Sequence, residues 1–141
     1  MKVRDATSAD GRAVAALLSE LGYPSDGEQV LSRLERLIAS DQAGVFVVED
    51  CGAVVALLAF HWIELLERAQ PTCRITALVT SAAYRRRGAA TALLRALRHL
   101  AQERGCERLE VTTKPEREEA FAFYRDHGFE ERPRRLVSYL G

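Results

Sequence analysis

The sequence lacks an apolar run long enough to cross a membrane, and no secretory signal is visible, so none is expected. Its longest apolar stretch, residues 53–60, is far shorter than the roughly 20 residues that span a bilayer, and it suits a buried strand instead. The first five residues contain no apolar segment of the secretory type. We therefore expect a cytoplasmic protein that has no membrane partner.

Cysteine and histidine are also scarce. The cysteines are odd in number and have no C-x-x-C spacing, which predicts reduced thiols buried as small apolar residues: Cys51, Cys73 and Cys106. The histidines are scattered, so we expect no metal site. No serine or cysteine triad is indicated.

Charge of one sign is not in excess, because the net charge is zero. Two arginine runs, 85–87 and 132–135, would suit nucleic acid, but zero net charge and few interleaved aromatics argue against that partner. Residues 1–73 carry −5 and residues 74–141 carry +5. The basic half could hold an anionic ligand, or its charges could be solvated helix faces.

Apolar periodicity and turn signals predict one α/β domain over residues 1–141, with a mixed sheet. Asp50-Cys51-Gly52 is expected to form a tight hairpin turn. Helices are expected after an N-cap at Thr7 or Ser8, after one at Ser25 or Asp26, over 88–104, and from Pro115 to about 127. Strands are expected at 2–6, 44–49, 53–65, 74–80, 107–112, 129–131 and 136–140.

The segment 78–91 is the first that carries chemistry. An apolar strand leads into three arginines, and Gly88 with two alanines then opens a long helix. The first N–H groups of a helix have no internal partner and lie at the positive end of its dipole, so they bind anions. The pattern R-x-x-G-x-A is neither a P-loop nor a dinucleotide fingerprint. Taken alone, it fits a solvated helix start equally well.

The segment 117–129 contains a second pattern, A-x-x-F-Y-x-x-x-G-F. At 100° per residue, Arg117, Ala120 and Tyr124 fall on one helix face. With both segments in view, the chain resembles the GNAT (general N-acetyltransferase) superfamily along essentially its whole length. The nearest resemblance is to small-molecule enzymes of the aminoalkylphosphonate and aminoglycoside type.

The resemblance implies a fold, a reaction and a set of site residues. The fold would be a central, mostly antiparallel mixed sheet with splayed fourth and fifth strands and helices on both faces. The reaction would move an acetyl group from acetyl-CoA, as cosubstrate and without a metal, to a primary amine of a small molecule in a ternary complex. Tyr124 would protonate the leaving thiolate. Residues implied in acetyl-CoA binding are Leu78, Val79, Thr80, Arg85, Arg86, Arg87, Gly88, Ala89, Ala90, Thr91, Arg117 and Ala120.

Two departures from the family pattern limit which residue roles can be transferred to this chain. Arg117 stands where many members have Asn, and Thr76 stands where related enzymes often have a Glu on the fourth strand. Thr76 cannot act as a carboxylate base, so the base is open among Glu110, Glu64 and His61. The resemblance also implies that a backbone N–H of the fourth strand near Val79 stabilises the oxyanion.

The acceptor and the partners are less closely constrained. The basic second half and the 132–135 run favour an amine that bears a negative group, while the acidic first half keeps a polycationic amine open. A homodimer is one option. The alternative functions are a non-catalytic acyl-CoA-binding or regulatory domain, a protein N-acetyltransferase, and an enzyme that uses a longer acyl-CoA.

Overall fold

A computed structural model describes residues 1–24, 26–114, 117–132 and 134–141. The chain divides into two compact units, Met1–Val111 and Thr112–Gly141. The first unit contains β1 (Lys2–Asp5), α1 (Gly11–Glu20), α2 (Gly27–Ala39), β2 (Ala43–Asp50), β3 (Ala53–Ile63), β4 (Thr72–Thr80), α3 (Ala89–Glu103) and β5 (Arg108–Val111). The second contains α4 (Glu118–Asp126).

The five strands of the first unit form one sheet in the order β1-β2-β3-β4-β5. All neighbours are antiparallel except β4 and β5, which are parallel, so the predicted mixed and mostly antiparallel sheet is confirmed. The hairpin between β2 and β3 turns through Cys51 and Gly52, both at positive φ (50° and 81°). Two such residues in succession make the type I′ turn whose twist suits a hairpin.

Helices cover both faces of this sheet. Six consecutive residues of β3, from Val55 to Phe60, are buried, so neither face of the central strand meets water. Leu57 and its same-face neighbours pack against α1 and α2, and this cluster includes Val14, Leu17, Val30, Leu34, Val45, Val47, Ala59 and Val79. Leu58 is on the alternate face, toward which α3 contributes the buried Leu93, Leu94 and Leu97.

β4 changes its pairing half-way along, and this is the feature of the fold that matters most for function. Phe60 pairs with Ile75 and Ala59 pairs with Ala77, so Thr76 is an extra, bulged residue. The parallel ladder to β5 also ends at Ile75. From Thr76 to Thr80, β4 therefore pairs with β3 but has no further pairing to β5, which is the predicted splay of the fourth and fifth strands.

Helix ends follow the predicted signals in most places. The Asp26 carboxylate accepts a hydrogen bond from the Glu28 N–H (2.9 Å), so Asp26 caps α2; Ser25 lies outside the described residues. Gly105, at φ 81°, follows α3, and the Cys106 N–H donates to the Ala101 carbonyl (2.9 Å). That bond closes the helix in the manner expected of a glycine stop.

Two local predictions are wrong, and a third falls on residues that are not described. None of the described residues after Asp126 is in a strand, so the strands expected at 129–131 and 136–140 do not form. A short apolar stretch becomes a strand only where a partner accepts its hydrogen bonds and covers one face, and here Leu136, Tyr139 and Leu140 are each more than nine-tenths exposed. α4 begins at Glu118 because Arg117 has non-helical torsions (φ −100°, ψ 69°); the proposed start at Pro115 lies outside the described residues. Of the cysteines, Cys73 is buried, whereas Cys51 is exposed in its turn.

Candidate active site

The open edge of β4 is the first element of the site. The Ser81 N–H donates to the Val55 carbonyl (2.8 Å), and hydrogen-bonded pairs alternate along an antiparallel ladder. The N–H of Val79 therefore also points toward β3, whereas those of Leu78 and Thr80 point away from it. The oxyanion donor near Val79 stays a prediction, and the amides that lie along the splayed edge are those of its two neighbours.

The turn between β4 and α3 is the second element. Gly88 has φ 88° and is the N-cap of α3, while Arg86 has φ 63°. A Cβ atom built at Gly88 would meet no atom within 4 Å, so the space before the helix is open. The left-handed backbone is what calls for glycine here. The guanidinium of Arg87 lies 5.0 Å from the ring centroid of Tyr84, which orders one of the three arginines.

The N-terminus of α3 supplies the backbone donors. The Ala92 N–H donates to the Gly88 carbonyl (2.9 Å), so the amides of Ala89 and Ala90 precede the helical ladder. Ala89 is buried and has a side chain too small to cover these amides. The Arg85–Gly88 turn and the helix N-terminus together fit a pyrophosphate group.

Tyr124 lies in the second unit, on α4, and is 7% exposed. Burial raises the pKa of Tyr124 to about 12, so its hydroxyl stays protonated at neutral pH. The hydroxyl makes no hydrogen bond to the described residues. Such a phenol keeps its proton available for a group that develops negative charge next to it.

The spacing from Tyr124 to Gly128 and Phe129 has a structural explanation. Gly128, at φ 89°, ends α4, and the Phe129 N–H donates to the Tyr124 carbonyl (3.0 Å). This is the Schellman arrangement, in which the residue after the glycine also packs on the helix. The rings of Tyr124 and Phe129 accordingly lie 5.2 Å apart, nearly edge to face. Part of the A-x-x-F-Y-x-x-x-G-F pattern therefore fixes the orientation of the phenol ring.

A family model described as the acetyltransferase (GNAT) family matches residues 12–129. This chain belongs to that family. Membership makes it an acyltransferase.

Solved structures share the fold of this GNAT chain at low identity. A putative acetyltransferase from Agrobacterium tumefaciens is 23% identical, with a TM-score of 0.88 over 99% of this chain and 100% of that one. The aminoglycoside N-acetyltransferase AAC(6')-Iy in complex with CoA is 18% identical (TM-score 0.85, 99% and 93%). A transcriptional regulator from Bacillus halodurans is 20% identical (TM-score 0.86, 99% of both). No curated protein matches the sequence significantly.

The first unit of the GNAT chain also contains an open pocket of about 560 Å³. It is formed by the end of α1, the connection to α2, one residue of α2 and the bulge of β4. The lining residues are Leu18, Leu21, Gly22, Tyr23, Pro24, Arg33, Thr76 and Ala77. Arg33 was not a candidate in the sequence, because only the folded chain brings it into one pocket with Thr76, 43 residues later.

The three candidate bases are not among these lining residues. Glu110 is held by Arg74 and also accepts a hydrogen bond from Arg108 (3.1 Å). Glu64 is exposed just beyond β3. The Nδ1 atom of His61 is buried and has no partner among the described residues. Geometry does not select a base among them.

Arg117 and Ala120 are at the start of α4. Arg117 is the N-cap of α4, and its carbonyl accepts a hydrogen bond from the Phe121 N–H (3.1 Å). It therefore lies just before the helix, whereas the sequence predicted it on the helical face of Ala120 and Tyr124. Ala120 is inside the helix and partly buried. Within the described part of the chain, no cluster of three or more His, Cys, Asp or Glu residues could hold a metal, and no helix has the length and apolarity to cross a membrane.

Proposed function

We propose that this acyltransferase moves the acetyl group of acetyl-CoA to a primary amine of a small molecule, by direct attack in a ternary complex. The observation that carries the proposal is the β4–α3 segment. It combines an unpaired strand edge at Leu78 and Thr80 with an open, arginine-flanked helix N-terminus at Gly88. A long ligand such as acetyl-CoA can pair its amide-containing arm with the strand edge and place its pyrophosphate at the helix N-terminus that follows.

The roles of the cofactor-binding residues follow from their positions. The outward amides of Leu78 and Thr80, with Val79 between them, would pair with the amide-containing arm of acetyl-CoA. The pyrophosphate would take the amides of Ala89, Ala90 and Thr91, beside Arg85, Arg86 and Arg87. Arg117 and Ala120 are proposed as further cofactor contacts on the resemblance alone.

Aminolysis of the thioester needs little covalent catalysis by the protein. Holding a neutral amine against the thioester carbonyl replaces an encounter in solution by a unimolecular step, and well-oriented groups reach effective molarities of roughly 10⁵ M or more. The outward N–H of Leu78 or Thr80 would stabilise the tetrahedral oxyanion. The protonated phenol of Tyr124 would donate to the leaving thiolate.

The proposal has three further parts. The single-domain organisation of residues 1–141 stays a prediction, and so does the cytoplasmic location, which three unpaired cysteines support. A homodimer is proposed because the last segment exposes large apolar side chains, namely Leu136, Val137, Tyr139 and Leu140.

The site is tested by placing a carboxylate at the helix N-terminus. We expect Gly88→Glu to weaken acetyl-CoA binding by at least about tenfold in calorimetry, because it sets a negative charge where the pyrophosphate would lie. Gly105→Glu is the matched control. Gly105 also has positive φ, and a Cβ there would meet only the Gln70 Oε1 atom, at 3.6 Å, but it follows α3 at the other end, roughly 25 Å from Gly88 along the helix. Equal affinities in the two folded variants would reject the site.

A further inference from the structure

The 560 Å³ pocket lies next to the stretch of β4 that is proposed to bind acetyl-CoA. Thr76 and Ala77 form its wall, and the outward amide of Leu78 follows directly. A bulge places two successive side chains toward the same face, so Thr76 and Ala77 both face the pocket.

The lining of the pocket contains one cation. Arg33 is the one charged side chain among the described residues that line it, and no carboxylate is among them. Arg33 makes no ion pair or hydrogen bond with any described residue. On α2, the positions three and four residues away are Gln29, Val30, Arg36 and Leu37, none of which is an acid.

The remaining lining completes a small amphipathic site. Leu18, Leu21 and Pro24 supply apolar walls, and Thr76 supplies a hydroxyl. A guanidinium in such surroundings prefers a carboxylate or phosphonate, which it can bind through two parallel hydrogen bonds. An aminoglycoside carries several positive charges and would meet repulsion from Arg33, with no carboxylate in the described lining to offset it.

We infer that Arg33 binds an anionic group of the acceptor, so that the substrate is a small amine bearing a carboxylate or a phosphonate. The inference rests on the proposed function and adds the acceptor class to it. Arg33 would set specificity by holding the anionic end, while the amine end reaches the thioester along β4.

The experiment has two arms so that the two proposals fail separately. The first measures acetyl-CoA binding to the parent chain by calorimetry. The second measures acetylation of matched amines, with and without the anion: 4-aminobutyrate against 4-aminobutanamide, 2-aminoethylphosphonate against ethylamine, and kanamycin as a polycation. Where turnover is too slow to measure, calorimetry of the same compounds on the CoA-saturated protein replaces it.

We expect the anionic member of at least one pair to be preferred, and Arg33→Gln to raise its KM about 10- to 100-fold while leaving the KM of the neutral member unchanged. Arg33→Lys should restore part of the loss. Arg36→Gln is the matched control: Arg36 is also exposed on α2, contacts Ser32 (3.4 Å) and does not line the pocket.

Every other outcome rejects the anionic acceptor, the role of Arg33 or the proposed function. Acetyl-CoA binding with a preference for kanamycin or for the neutral amines rejects the anionic acceptor and leaves the acetyltransferase proposal standing. Equal effects of Arg33→Gln on both members of a pair reject the role of Arg33. Absence of acetyl-CoA binding rejects the proposed function and this inference together.

Discussion

At the scale of single residues, the environment of Tyr124 decides what its hydroxyl can do. Burial raises its pKa to about 12, whereas a free thiol titrates near 8.5, so complete proton transfer to a relaxed thiolate is unfavourable. A hydrogen bond that strengthens as charge builds on the leaving sulfur still lowers the barrier. The phenol therefore acts best as a donor aimed at the transition state.

Replacement of Tyr124 by Phe keeps the ring that packs on Phe129 and removes the hydroxyl. We expect kcat to fall by about 10- to 1000-fold, with acetyl-CoA affinity little changed. Tyr139→Phe is the control, because Tyr139 is 91% exposed. Since the phenol keeps its proton until about pH 11, its ionisation should not reduce kcat below that pH. Full turnover in Tyr124→Phe at saturating substrates would leave Tyr124 with a packing role only and favour water as the proton source.

The site residues that could be predicted from the sequence differ in kind from those that could not. The glycine at 88 and the arginines before it form a local pattern, so their turn was predictable from neighbours in the chain. Arg33 has no local signal, since its significance comes from Thr76 and Ala77 across the fold. The 132–135 run, which the sequence favoured for binding an anion, instead has Arg132 paired with Glu130 (2.8 Å) on an exposed stretch.

At the scale of elements, the same distinction separates correct from incorrect predictions. α3 and the β2–β3 hairpin carry their own start and stop signals, so their bounds were predicted to within two residues. The strands expected after Gly128 depended on a partner that the sequence could not name. The bulge at Thr76 was equally invisible, because a bulge is a mismatch between two strands rather than a property of one.

The C-terminal stop of α4 makes a prediction at this scale. Gly128→Ala places a Cβ at φ 89°, which should cost about 1–2 kcal/mol of unfolding free energy, and it should also lower kcat by loosening the turn that sets Phe129 on Tyr124. Denaturant titration and steady-state kinetics measure the two effects. Gly27→Ala is the control, since Gly27 opens α2 without positive φ and with open space at its Cβ; alanine there should be neutral or slightly stabilising. A loss in the control as large as at Gly128 would contradict the argument.

At the scale of the whole molecule, one buried carboxylate fixes the start of the chain against the sheet. Asp10 is 6% exposed and accepts hydrogen bonds from both Arg4 nitrogens (2.8 and 2.9 Å) and from the Thr7 N–H (2.8 Å). These donors, Arg4 first, lower the pKa of Asp10. Its stabilising contribution is therefore present at neutral pH and is lost only as pH falls below the ordinary range of an aspartate.

At alkaline pH, stability depends on groups whose pKa is raised in the folded chain. Cys73 in the sheet gives the sharpest test. Burial, with a smaller effect of the nearby Cys106, raises the pKa of the Cys73 thiol to about 12. Unfolding returns the thiol to its ordinary pKa, so between about pH 9 and about pH 12 the unfolded chain binds fewer protons than the folded one. Stability should then fall with rising pH, by up to about 1.4 kcal/mol per pH unit from this group.

We expect Cys73→Ala to be less stable at pH 7, because it removes a buried sulfur, but to lose stability less steeply above pH 9 than the parent in urea titrations. Cys51→Ala is the control, since Cys51 is exposed and should leave the slope unchanged. Parallel pH profiles for the parent and Cys73→Ala would mean that Cys73 ionises with an ordinary pKa in the folded chain, and so that water reaches the sheet at that position.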